Sequence, residues 1–175
     1  MAAVKKYSGF ILFMLCFVCF IGSLVWYANQ PVSLVAEELT SAGDQETYPG
    51  TSLVLDFPTA KTISATVVND SGRIFCMDDS PYIDVDILLD GSWYTVPRKS
   101  YAVAGASYTI KPGRTYTFQP TLEHHGKLPD GQYRMSFQVS AESGESDYDR
   151  TYYDTDYHVY ARFDVVEGGY VPPEG

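Results

Sequence analysis

Gln132-Tyr133-Arg134-Met135-Ser136-Phe137-Gln138-Val139-Ser140 alternates polar and apolar side chains without a break. Successive side chains on a strand point to opposite faces. Tyr133, Met135, Phe137 and Val139 therefore share one face, and Gln132, Arg134, Ser136 and Gln138 share the other. The stretch reads as a β-strand with one side in a core and the other toward water.

The same rhythm recurs on both sides of it. Residues 52–57 open the series, and in 62–69 Ile63, Ala65 and Val67 share a face. In 82–89, Ile83, Val85, Ile87 and Leu89 point inward while Asp84 and Asp86 point to water. Asp90-Gly91 supplies the positive φ angles of a tight type I′ hairpin, and 92–96 returns with Trp93 and Tyr94. Pro112-Gly113 marks another reversal before a strand at 114–122. The last strand, 157–166, places Tyr157, Val159, Ala161, Phe163 and Val165 on one face. About seven short strands separated by turn signals predict an all-β, antiparallel β-sandwich over residues 52–166.

Upstream lies a different pattern. Residues 10–28 are almost wholly apolar and follow Lys5 and Lys6. A run near the ~20 residues needed to cross hydrocarbon, with lysines before it, predicts one transmembrane helix at 7–28 and a short cytoplasmic N-terminus at 1–6. A cleavable signal peptide would look similar from its N-terminal side, so secretion after cleavage is the alternative. The retained anchor is preferred, because an h-region runs to about 15 residues, Trp26 and Tyr27 suit the membrane interface, and bulky residues precede Ala28 and Ala36 at the −3 positions. Everything beyond the helix is expected outside the cytosol, with 29–51 as a partly extended linker and 167–175 as a disordered tail.

All 22 acidic residues follow the apolar run, with all but two of the 12 basic ones. Phosphate recognition needs a basic patch, so nucleic acid is not an expected partner. Cys16 and Cys19 lie within the apolar run, which leaves Cys76 alone beyond it and excludes a disulfide within the exported part. Between Phe75 and Met77, Cys76 reads as a buried thiol; pairing between chains is the other reading.

The segment Leu128-Pro129-Asp130-Gly131-Gln132-Tyr133-Arg134-Met135 resembles the turn and strand that carry the tyrosine corner of immunoglobulin-like sandwiches. With Asp90-Gly91-Ser92-Trp93-Tyr94-Thr95-Val96-Pro97 and Tyr160-Ala161-Arg162-Phe163-Asp164-Val165, it is similar to the bacterial immunoglobulin-like domains of Gram-positive, mainly Clostridia-type, surface proteins. That resemblance implies an extracytoplasmic module with no catalytic residues and no cofactor. It gives structural roles to Tyr133, Trp93, Gly91 and Gly131, and Met135 stands where antibody-type domains place their second cysteine.

Chemistry-bearing candidates are few. His124-His125 reads as a solvated polar turn beside Gly126 and Pro129, and His158 alternates outward, with no zinc-type spacing around either. The acidic stretch 142–156 offers one calcium ligand set, Glu145, Asp147, Asp149, Asp154 and Asp156. It lacks the glycine and terminal glutamate of an EF-hand loop and has Arg150 in its middle, so the reading is a charged, mobile hairpin loop and no metal site. Its aromatic residues, Tyr148, Tyr152 and Tyr153, are the candidate interaction residues, because rings in loops give contact area at low entropic cost. No serine elbow or phosphate loop is present, so no enzyme is expected. The sequence predicts a membrane-tethered module with an extracellular protein or glycan ligand; a structural spacer or envelope subunit is the alternative.

Overall fold

The computed structural model describes every residue except 1, 29, 44–46, 79–82, 101–106, 148–149 and 175, and omits the side chains of 2–9, 28, 78, 107, 143–147 and 150–156. The chain divides into two units, Met1–Val32 and Ser33–Gly175.

The first unit is built on one helix, α1, Ala2–Ala28. It begins before the expected residue 7. Phe10–Tyr27 has a mean hydropathy of 2.4 and none of it is buried, so the helix is long and apolar enough to cross a membrane. Water is a poor environment for that much apolar surface. The Ser23 hydroxyl donates to the Phe20 carbonyl at 2.8 Å, which satisfies it inside the helix.

The second unit forms eleven strands among the described residues: β1 (Thr40–Ser41), β2 (Thr51–Thr59), β3 (Thr62–Asn69), β4 (Phe75–Asp78), β5 (Asp84–Leu89), β6 (Ser92–Thr95), β7 (Ser107–Ile110), β8 (Arg114–Phe118), β9 (Gly131–Asp147), β10 (Arg150–Val166) and β11 (Gly169–Val171). Eight make one sheet in the order β1-β6-β5-β9-β10-β11, with β4 bridging β9 and β7. The other three make a second sheet, β2-β3-β8. All pairs are antiparallel.

Alternation decides which side chains meet between the sheets. Ile63, Ala65 and Val67 of β3 join Val85 and Ile87 of β5, Met135, Phe137 and Val139 of β9, and Val159 and Phe163 of β10 in one buried cluster. Phe118 of the small sheet meets Phe137 of the large one edge to face at 5.3 Å, a contact that fixes the two layers together. At the β5–β6 hairpin, Asp90 has φ 49° and Gly91 φ 78°, the pair of left-handed conformations a type I′ turn needs.

Several expectations are corrected. Segment 29–51 is more than a linker: Thr40 and Ser41 pair with Thr95 and Tyr94, and Leu34, Leu39 and Tyr48 pack against the core. The tail is ordered at β11, where Val171, Tyr170 and Gly169 pair with Asp164, Val165 and Val166. Residues 142–147 and 150–156, read as part of a loop, lie in β9 and β10 and extend their pairing, with register shifts near Tyr153. The strand expected at 114–122 ends at Phe118; Pro120 lacks the N–H that a ladder uses. Cys76 is half-buried because Phe75 and Met77 take the core face and alternation turns it away.

Candidate functional site

Tyr133 opens β9 at the end of the sandwich. Its ring is fully buried and stacks on Phe163, directly opposite on β10, at 5.5 Å. The hydroxyl donates to the Pro129 carbonyl at 2.7 Å, the bond of a tyrosine corner. Burial, with Asp130 adding, holds the phenol well above its ordinary pKa, so it remains a donor. Gly131 pairs with Val165 within the ladder and lies 3.6 Å from the Tyr133 ring at the point a Cβ would occupy.

The outer face of the large sheet carries a polar layer that departs from the expected solvent face. Asp86 and Arg134 are 2 % and 4 % exposed, and Arg134 Nε donates to Asp86 Oδ2 at 2.8 Å. Arg134 Nη2 donates to the Gly43 carbonyl at 2.7 Å, while the Ala42 N–H donates to the Trp93 carbonyl at 2.9 Å. The Arg134 guanidinium lies 4.7 Å from the Trp93 ring centre, and that of Arg162 lies 5.5 Å from it. Asp86 is therefore a buried ion-pair partner, and Trp93 is part of its cover. Asp84, two residues earlier, stays half-exposed and pairs with Arg98 at 3.3 Å.

Two clefts follow from this packing. One, of about 200 Å³, lies beside Trp93 and is lined by Gln132, Arg162, Asp164, Pro173 and Glu174. Another, of about 260 Å³, lies at the end of the sandwich among Lys61, Gln119, Thr121, Glu123 and Tyr170. The Tyr170 phenol is raised by burial and then by Glu123, so it too is a neutral donor.

His125 corrects the reading of a solvated turn. It ends a 3-10 turn at Glu123–His125, is 3 % exposed, and neither ring nitrogen has a hydrogen-bond partner among the described residues. Burial holds its pKa down to about 4, the Arg98 charge adding; the Leu122 carbonyl opposes only partly and lies outside hydrogen-bond geometry. His158 is half-buried, and its Nδ1 is likewise without a partner among the described residues.

Of the candidate residues in the acidic hairpin, Tyr148 and Asp149 lie outside the described residues, as do the side chains of Glu145, Asp147, Tyr152, Tyr153, Asp154 and Asp156. Their backbones, apart from 148–149, belong to β9 and β10. Past Glu142, which donates its N–H to Ile74, β9 pairs with β10 alone among the described residues. Among the described residues no group of three or more His, Cys, Asp or Glu side chains gathers to hold a metal.

Two stacked antiparallel sheets, a buried tyrosine corner and a covered outer tryptophan define an immunoglobulin-like β-sandwich, joined in one chain to an apolar helix. The family description "Bacterial Ig-like domain" matches residues 56–163, and the chain belongs to that family. No curated protein and no solved structure matches the chain.

Proposed function

We propose that the protein is a non-catalytic, membrane-tethered module that holds its Ig-like sandwich outside the cytosol and recognises protein or carbohydrate at the cell surface. The supporting observation is the combination, in one chain, of an apolar helix of membrane-spanning length with a bacterial Ig-like domain. The β9–β10 arm supplies the recognition element in this reading. It extends past the sheet as a two-stranded ribbon whose sequence carries Tyr148, Tyr152 and Tyr153, residue types that dominate contact energy at interfaces. The Gram-positive envelope implied by the sequence resemblance is the setting of this proposal.

The experiment has two arms on the full chain. A reporter active only outside the cytosol, fused at the C-terminus, gives signal if the helix tethers the sandwich externally; signal from a cytosolic reporter instead overturns the topology. Capture of envelope protein or glycan that is lost in a Tyr152→Ser, Tyr153→Ser variant supports the arm as the contact.

A specific observation favours a second reading, a spacer or subunit without its own ligand site. Outside α1, the exposed large hydrophobic residues among those described are Val35, Val54, Tyr108 and Val166. Four such residues scattered over a surface need no ligand to explain them. Absence of specific capture by the intact chain favours this reading, whereas capture unchanged by the arm substitutions moves the contact to another surface of the sandwich.

A further inference from the structure

The cleft beside Trp93 brings together one cationic side chain, Arg162, and two acidic residues, Asp164 of the same strand and Glu174 of the C-terminal segment. Arg162 and Asp164 are two apart on β10, on the same face, so their Cα atoms are separated by roughly 7 Å. Arg162 is exposed, lies opposite Arg134 in the β9–β10 register, and has its guanidinium 5.5 Å from the Trp93 ring centre; no carboxylate pairs with it among the described residues. Asp164 is only 7 % exposed. Its Oδ2 accepts the Glu174 N–H at 3.0 Å, which leaves Oδ1 outside that bond. A carboxylate buried to this degree gains from a positive partner.

Size and charge narrow the ligand. At about 200 Å³ the cleft is smaller than the ~300 to 1,000 Å³ of sites for drug-sized molecules, so its occupant is small. A net charge of −10 repels anions over long range and attracts cations without selectivity. A zwitterion approaches without net repulsion and presents both complements at once. We propose that this cleft binds a zwitterion of amino-acid size. The ligand carboxylate pairs with the Arg162 guanidinium, in the forked geometry that arginine offers. Its ammonium meets the Asp164 carboxylate, and its side chain lies against the Trp93 indole, with the Gln132 amide beside it. This site is separate from the β9–β10 arm and does not depend on the arm's being a contact surface.

Calorimetric titration of the detergent-solubilised full chain at pH 7 tests it, with leucine as the probe. The expected result is saturable leucine binding in the micromolar to millimolar range. N-acetylleucine, which lacks the ammonium, and leucine methyl ester, which lacks the carboxylate, should each bind at least tenfold more weakly. Arg162→Ala should weaken leucine binding by a similar factor. Because Asp164 is buried and Asp164→Asn risks the fold, Gln132→Ala at an exposed position serves as the second variant, with an expected several-fold loss and an unchanged circular dichroism spectrum. Absence of saturable leucine binding, binding of either blocked analogue as tight as that of leucine, or full affinity in Arg162→Ala overturns the proposal.

Discussion

Arg134 Nε lies 2.8 Å from Asp86 Oδ2, on neighbouring strands and with both side chains almost wholly removed from water. Inside the fold the pair is neutral as a unit, and the Gly43 carbonyl takes a further guanidinium donor. Removing one partner leaves a lone charge in that layer. Asp86→Ala should lower unfolding free energy by about 3 to 5 kcal/mol, read from chemical denaturation. The double variant Asp86→Leu, Arg134→Met should recover much of that loss; a double variant no more stable than the single one would show that the ion pair itself, not its broken half, matters.

Tyr133 and Pro129 make the corner bond at 2.7 Å. Tyr133→Phe keeps the ring against Phe163 and removes only the hydroxyl. A loss of roughly 1 to 3 kcal/mol is expected, from the half-buried Pro129 carbonyl left without its donor. An unchanged melting temperature contradicts that role.

Asn69 is fully buried, and its amide donates to the carbonyls of Arg73 and Ile110, each at 2.8 Å. Its carbonyl accepts from the Ser71 N–H and hydroxyl, at 3.1 and 2.6 Å. One side chain thus ties β3, the following turn and β7. Asn69→Ala should cost about 2 to 4 kcal/mol, since several buried groups lose partners together. Asn69→Asp should also destabilise, because a carboxylate cannot donate to two carbonyls.

His125 sets an acid limit on stability. Its folded pKa, about 4, lies below the model-peptide value of about 6.5, so below pH 6.5 the unfolded chain binds a proton that the folded chain refuses. The His125 contribution is constant above pH 6.5, falls as the pH drops from 6.5 toward 4, and levels off below the folded pKa. The loss over that window is on the order of 2 to 3 kcal/mol. His125→Phe should flatten this part of the stability profile, measured by denaturation at pH 4.5 and 7; an unchanged slope assigns the acid sensitivity to other groups.

The core side of each strand was legible in the sequence because alternation alone decides it: Tyr133, Met135, Phe137 and Val139 are all buried together. The outer side was not. Arg134 and Asp86 alternate as solvent-facing residues do, and their cover comes from Thr40-Ser41-Ala42-Gly43, a stretch with no apolar rhythm that attaches through backbone atoms and the Gly43 carbonyl. Short strands escaped for a related reason. β4 and β7 have four residues each, and β11 has three, too few to establish a period. His125 gave no signal because its burial depends on a 3-10 turn beneath neighbours distant in sequence. The Trp93 cleft joins residues 93, 132 and 162, which the strands of the large sheet bring together, and residue 174, held there by its N–H bond to Asp164.

The attachment of Thr40 and Ser41 to β6 also has a mechanical meaning. Tension entering the sandwich from residue 33 reaches this two-residue pairing before any other strand. Two ladder pairs, the Ala42 bond, the Arg134 clasp and the core contacts of Leu34 and Leu39 would yield first, freeing a segment up to Tyr48 that spans at most roughly 50 Å when fully extended.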